Sequence, residues 1–298
     1  MTNILYFTFC ALFWGGSFIA IKFTVDVVPS FHSAFYRVFL ATIFLIILNF
    51  KRFKIPSLSK VEWYLILKAS LFSIGIPFSL LFWGEQFIPG AIAGVINGTV
   101  PIWTLLVGVY FFSSQRKLEK SKLLGIIIGF LGLFMIFLPK LNLKGEINEV
   151  YGMISVLGMA ISYGIGINLN NRVISIFDKI NSQTNLIVQQ GFSALFILII
   201  SLFFNGIPDL SLLNSPKVIT SILYLSFFST ALAYILFYKL IMNIGTVRAS
   251  TVTFFVPIIA MGLDALITGF IPGKLQIIGA MIILLSLYFL KKDDFIKN

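Results

Sequence analysis

Long apolar runs separated by short polar breaks fill this chain from its second residue almost to its end. A helix needs about 20 predominantly apolar residues to cross the hydrocarbon of a bilayer. Ten such runs occur, at residues 3–23, 32–50, 62–83, 90–112, 121–139, 150–170, 183–204, 216–238, 246–268 and 273–291. The pattern predicts an all-α integral membrane fold of about ten transmembrane helices joined by short connections.

Composition removes the soluble alternative. The chain is 58% hydrophobic and 11% charged, with a mean hydropathy of +1.00, whereas soluble domains carry about 25% charged residues. So few charges cannot cover the surface of a water-soluble protein of 298 residues. Lipid must solvate most of it.

Charge then sets orientation. A net charge of +11 would suit nucleic acid only if it formed a basic face on a folded domain, and here the basic residues fall in clusters between apolar runs. No nucleic-acid partner is expected. Alternate connections hold Lys51, Arg52, Lys54, Lys60, Arg116, Lys117, Lys120, Lys122, Arg172, Lys179, Lys239, Arg248, Lys291, Lys292 and Lys297; the others hold Lys140, Lys144, Lys217 and Lys274. Because Lys and Arg near helix ends stay on the cytoplasmic side, both termini are expected in the cytoplasm, with the protein in a bacterial-type inner membrane. The first run has neither a positive leader nor a small-residue cleavage site before Lys22, so it is expected to remain as the first helix.

The chain echoes itself. Ala11-Leu-Phe-Trp14-Gly15 in the first run resembles Ala160-Ile-Ser-Tyr163-Gly164 in the sixth. Pro101 and Pro257 lie within the fourth and ninth runs, and Leu124-Gly125-Ile126 and Ile278-Gly279-Ala280 open the fifth and tenth. The offsets are 149, 156 and 154 residues. Five runs per half is odd, so the second copy would insert inverted, as in many secondary transporters. The expected organisation is a first five-helix repeat over 1–140, a connection over 141–149 and a second repeat over 150–298. A cytoplasmic tail would begin near 291.

With these residues in place, the chain resembles the EamA-type drug/metabolite transporters over nearly its whole length. The resemblance is carried by Trp14-Gly15-Gly16-Ser17-Phe18 with Lys22, by Arg37-Val-Phe-Leu-Ala41 and by Trp83-Gly-Glu85-Gln86 leading to Asn97-Gly-Thr99-Val-Pro101. Thr230-Ala-Leu-Ala-Tyr234, the turn from Gly245 to Ala249 and Pro257 complete it. It implies two five-helix repeats and transport, often export. Where the family commonly places a glutamate after the fourth and ninth helices, this chain has Ser114-Gln115-Arg116 and Gly269-Phe270.

Polar side chains within the runs are the candidate chemistry, because charge in hydrocarbon is costly and usually faces a bundle interior or water-filled path. Arg37 would pair with a substrate carboxylate, Glu85 or Asp264, and Glu85 or Asp264 would carry a coupling proton; the alternative for each is snorkelling to headgroups. Lys22 and Lys68, nearer helix ends, are expected to snorkel. Trp14, Trp103 and Tyr163 lie toward mid-membrane, and with Tyr234 they would line a cavity or simply pack helices. Ser17 lies in the Trp14 motif. Asn97, Thr99, Asn168, Gln189 and Gln190 would bond across helices or touch substrate. Pro101 and Pro257 would break their helices, at a binding site or as plain kinks. The Gly125, Gly129 and Gly132 stripe would serve internal packing or a homodimer.

Several functions are thereby disfavoured. Single Cys10 and solitary His32 cannot build a metal site, no GxxxxGK(S/T) loop occurs, and no cofactor is expected. The expectation is a non-enzymatic secondary transporter, working by alternating access on a small organic solute such as an amino acid or related metabolite, with export favoured over uptake. A coupling proton or counter-solute would drive it, with membrane lipid around it. Helices 1–4 and 6–9 would surround the cavity and 5 and 10 would flank it. A membrane-embedded enzyme and a channel or lipid-handling scaffold are the alternatives.

Overall fold

The computed structural model describes residues 2–51, 53–54, 56–112, 120–140, 147–173, 176, 180–244, 249, 252–253 and 255–296. Arg52, Lys117, Lys144, Lys179, Lys297 and the segments 114–116 and 245–248 lie outside the described residues, as does most of the 141–149 connection.

Among the described residues there is no strand. Helices α1 (Thr2–Val25) and α2 (Ser30–Asn49) come first. Helix α3 (Lys60–Ser70) widens through a π-helical turn, Leu71–Gly75, into α4 (Ile76–Glu85). Two short helices follow, α5 (Gly90–Asn97) and α6 (Val100–Val107), the second ending in a π-helical turn over Gly108–Phe112. Helices α7 (Lys120–Phe137), α8 (Ile147–Val173) and α9 (Ser182–Asn205) are uninterrupted. Helix α10 (Pro216–Leu223) passes through a longer π-helical stretch, Tyr224–Leu232, into α11 (Ala233–Ile244). Helices α12 (Val256–Thr268) and α13 (Lys274–Ile296) close the chain.

Among the described residues, eight helical segments are long and apolar enough to span a membrane, and the apolar helices Val256–Thr268 and Lys274–Ser286 are shorter. The ninth apolar run thus contributes only its second part as a described helix, and α13 continues beyond 291, where the tail was expected to begin.

Local chemistry sets the ends. Ser59 and Glu62 form a capping box at the start of α3, and Asn181 Oδ1 accepts from Thr184 N at the start of α9 (2.8 Å). Gly206 (φ 71°) and Gly269 (φ 76°) follow the last turns of α9 and α12, where a left-handed backbone suits glycine.

Helices from the two halves of the sequence interleave. Helix α2 packs on α9 and on the Tyr224–Leu232 stretch, α8 on α4 and α6, and α1 on α11 and α12. Helix α5 packs on α12, and α7 and α13 pack chiefly on each other. Gly132 and Gly279 make that last pairing close, since a Cβ on either would lie 2.7 or 2.6 Å from the other's carbonyl oxygen. Gly129 faces Ile102 and Ser286. The glycine stripe is therefore spent on internal packing.

One end of the bundle carries Asp26, Glu85 and Gly206, and the opposite end Asn3, Asn49 and Lys239. The contacts Lys22 to Glu85, His32 to Gly206, and Asn3 to Asn243 fix this arrangement.

Candidate functional site

Arg37 stands two turns into α2 and is buried. Its Nε donates to Thr230 Oγ1 (3.0 Å) and its Nη2 to Ser229 Oγ (3.2 Å), both on the π-helical stretch before α11. Thr230 Oγ1 in turn donates to Leu225 O five residues back, a carbonyl that the wider helix leaves within reach (2.8 Å). The guanidinium carbon lies 4.2 Å from the centre of the Phe78 ring and 6.0 Å from that of Phe82. Cation–π attraction and two hydroxyl bonds thus hold the charge in an apolar bundle. Nη1 has no partner.

Glu85 lies on the same stripe of α4 as Phe78 and Phe82, seven and three residues farther along. It is fully buried, so it does not reach headgroups, and neither carboxylate oxygen has a hydrogen-bond partner among the described residues. A buried carboxylate is tolerated only if neutral or beside a cation. Among the described residues, Lys22 and then Arg37 are the cations in electrostatic reach of it, and Asp264 and Asp26 the acids. Lys22 lies beside Glu85, partly exposed at the same end of the bundle. Its Nζ donates to the backbone oxygens of Glu85 (3.2 Å) and Gln86 (3.3 Å) and pairs with Asp26 (3.1 Å).

Asp264 is buried in a different way. Its Oδ2 accepts from Ala91 N in the first turn of α5 (2.8 Å), and its Oδ1 from Thr268 Oγ1 (2.7 Å). A carboxylate at a helix N-terminus satisfies an orphan donor and complements the helix dipole. Asp264 thereby ties α12 to α5.

The remaining candidates divide. Tyr163 and Tyr234 are in electrostatic reach of Arg37, and Tyr163 packs edge-on against Phe78 (6.5 Å between centroids). Trp14 meets Tyr234 (6.0 Å) and Phe237 (5.0 Å). Gln190 is fully buried on α9, with neither amide atom partnered among the described residues. Gln189 is committed to its neighbours, donating to Asn170 Oδ1 (2.8 Å) and Asn185 Oδ1 (3.1 Å). Ser17 donates to Trp14 O in its own helix (2.6 Å). Trp103 is directed elsewhere, with Nε1 donating to Thr99 Oγ1 (3.1 Å) and its ring edge-on to Phe130 of flanking α7 (5.4 Å). Asn168 joins α8 to α6 through Thr104 O (2.9 Å).

The helix interruption lies at Gly98 and Thr99, between half-buried Asn97 and α6, whose first turn contains Pro101. Pro257 occupies the first turn of α12. The two meet, since a Cβ on Gly98 would lie 3.1 Å from Pro257 Cγ. Proline suits a first turn because its missing N–H would have had no intrahelical partner there.

Sequence reasoning missed Ser229, Phe78 and Phe82. Ser229 adjoins the Thr230-to-Tyr234 motif, but a serine within a phenylalanine-rich run carries no signal of its own. His32, which was considered for a metal, faces Gly206 O through Nε2 (3.0 Å).

Hydroxyls and aromatic rings thus cradle an arginine inside the apolar bundle, and comparison with known proteins assigns the chain to a family. Residues 1–138 and 150–291 match the EamA-like transporter family. The chain belongs to that family. An uncharacterized transporter from Buchnera aphidicola subsp. Schlechtendalia chinensis is 28% identical over 276 residues, covering 89% of this chain and 85% of the relative. A probable amino-acid metabolite efflux pump from Salmonella typhimurium is 26% identical over 280 residues, covering 92% and 90%. A solved crystal structure shares the fold with a TM-score of 0.64 at 14% identity, covering 98% of both chains. EamA-like membership and the apolar helices make this an integral membrane protein of the transporter class.

Proposed function

We propose that the protein is a secondary carrier that moves a small organic solute by alternating access, with Arg37 as the anchor for an anionic group of that solute. The observation that carries this reading is the buried guanidinium with Nε and Nη2 fixed by Thr230 and Ser229 and Nη1 left open. A charge placed there at a cost of several kcal/mol has a use, and anion recognition is the use a preorganised guanidinium serves best. An amino acid or related metabolite fits an anionic anchor beside Tyr163, Tyr234 and Phe78. The Salmonella relative supports that class and supports export.

Two inverted five-helix repeats supply the mechanics in this reading. The separate family matches over 1–138 and 150–291 support the division, as does the π-helical widening in the third segment of each half. Both termini lie in the cytoplasm of a bacterial cell, on the side favoured by the basic connections. A proton or counter-solute drives the cycle, with Glu85 as the carboxyl that exchanges it. Asp264 serves as a clamp. In this reading the protein is a carrier and not an enzyme or a channel, which the transporter names of its relatives support.

Purified protein in liposomes tests the proposal. Saturable, gradient-dependent flux of an amino acid is expected, with Arg37→Gln lowering flux at low solute concentration by about a hundredfold, the loss of one charge-assisted bond pair of about 3 kcal/mol. Arg37→Lys would recover only part, because a point charge cannot keep both hydroxyl bonds and a free donor. Flux that rises linearly with concentration, or that is indifferent to Arg37→Gln, would refute it.

A further inference from the structure

The end of the bundle opposite Glu85 holds a cavity of about 190 Å³ lined by Leu45 of α2, Ser182, Gln183 and Leu186 of α9, and Ile235, Tyr238 and Lys239 of α11. The same three segments carry the Arg37 site deeper in the bundle. One helical turn inward from Leu45, Leu186 and Tyr238 lie Ala41, Gln190 and Tyr234. A further turn inward on α2 and on the π-helical stretch lie Arg37 and Thr230, which are bonded to each other at 3.0 Å. Eight residues of helix separate Leu45 from Arg37, a depth of about 12 Å at 1.5 Å per residue.

The intervening layer is unusual in what it leaves unbonded. Gln190 is fully buried, yet its amide nitrogen and oxygen have no partner among the described residues. Such an amide costs stability unless something else satisfies it in another step of the working cycle. Ala41 on α2 and Ala231 on the π-helical stretch are also fully buried, and both are small. Along the line from mouth to anchor, Lys239, Gln190 and Arg37 each present a donor.

We infer that the solute travels between the cavity and Arg37 through the seam of α2, α9 and α11, leading with its anionic group, and that Gln190 is the residue that selects for that group on the way. This rests on Arg37 being the anchor, and it adds the route and the selecting side chain. At the Glu85 end, by contrast, Lys22 and Asp264 stitch the segments shut.

Sided thiol labelling tests the route without knowledge of the solute. In a Cys10→Ala background, single cysteines would replace Gln183 at the mouth, Gln190 in the seam and exposed Asp209 at the opposite end. Membrane-impermeant methanethiosulfonates, one anionic and one cationic, would be applied to sealed vesicles of each orientation. Gln183→Cys and Gln190→Cys should react from the Lys239 side, and Asp209→Cys from the other. Relative to Asp209→Cys, the anionic reagent should be favoured about tenfold at Gln190→Cys, as focusing in a cationic cleft predicts. Reaction of Gln190→Cys from the Asp209 side alone, from neither side, or without charge preference would overturn the inference. Gln190→Leu adds a second readout, lowering flux while leaving thermal stability equal or higher; a merely structural glutamine would lose stability. Normal flux after complete labelling of Gln183→Cys would sink the route and leave the carrier standing, whereas correct labelling without any flux would do the reverse.

Discussion

Asp264 and Glu85 are both buried carboxylates at the same end of the bundle, yet they are opposites. The Asp264 carboxylate accepts two hydrogen bonds, from Ala91 N and Thr268 Oγ1, and that of Glu85 accepts none from the described residues. The first is consumed by structure, joining α12 to the first turn of α5. The second contributes no bond that structure needs, so its retention in an apolar site points to function. Burial alone does not separate a clamp from a working group; bonding does.

The largest effect should come from destroying the bonded member. Asp264→Ala leaves an orphan N–H at the start of α5, and the Thr268 hydroxyl keeps only its bond to the backbone oxygen of residue 264. Interhelical bonds in membranes average about 0.6 kcal/mol, but charge-assisted bonds at a helix N-terminus lie near the top of the range. A loss of about 2–3 kcal/mol is expected, measured by thermal or SDS unfolding in micelles. Asp264→Asn, which can still accept through one oxygen, should recover about half. Equal stability of wild type and Asp264→Ala would remove the clamp.

Next comes the strap that lies over Glu85. Lys22→Met removes two bonds to backbone carbonyls and the Asp26 pair, all on a partly exposed ammonium, so the cost should be about 1 kcal/mol. Glu85→Gln should cost even less, within about 0.5 kcal/mol or on the stabilising side, since no hydrogen bond is lost and a buried charge is removed. Flux should nonetheless lose its dependence on a pH gradient. A Glu85→Gln protein that is destabilised as much as Asp264→Ala would erase the contrast between the two carboxylates.

How much of this was legible in the sequence follows from how local each signal is. Apolar runs specify most of the spanning segments because hydrocarbon thickness acts on each stretch independently. Pro101 locates the helix interruption to within a turn, and the break falls just before it because proline is tolerated in a first turn. Arg37 is conspicuous as a charge in hydrocarbon, but its partners Ser229 and Thr230 lie 192 and 193 residues away. Asp264 finds Ala91 across 173 residues, and Lys22 finds Glu85 across 63. Residue type marks such groups as expensive; only the fold tells which are already bonded. Trp103 makes the same point, since nothing in its neighbours along the chain turns its ring toward Phe130 rather than a cavity.

A third carboxylate, in water, supplies the smallest effect and the control. Asp209 is exposed ahead of a short 3₁₀ turn, Leu210–Asn214, and its Oδ1 accepts from Ser211 N (2.9 Å). The hydrogen bonds of Ser211, side chain first and backbone second, hold its carboxyl below the usual value of 3.8. A folded-state value below the unfolded one means that the contribution is complete above the unfolded value and fades as pH falls through the folded one. At pH 7 it is therefore fully present, and it is small because water competes for the same bonds. Asp209→Asn should leave the melting temperature at pH 7 and the flux unchanged within error, and should flatten the stability profile only at pH values below about 4. A neutral-pH loss comparable to that of Asp264→Ala would mean that carboxylates at this end act through their summed charge, not through the bonds that distinguish Asp264 from Glu85.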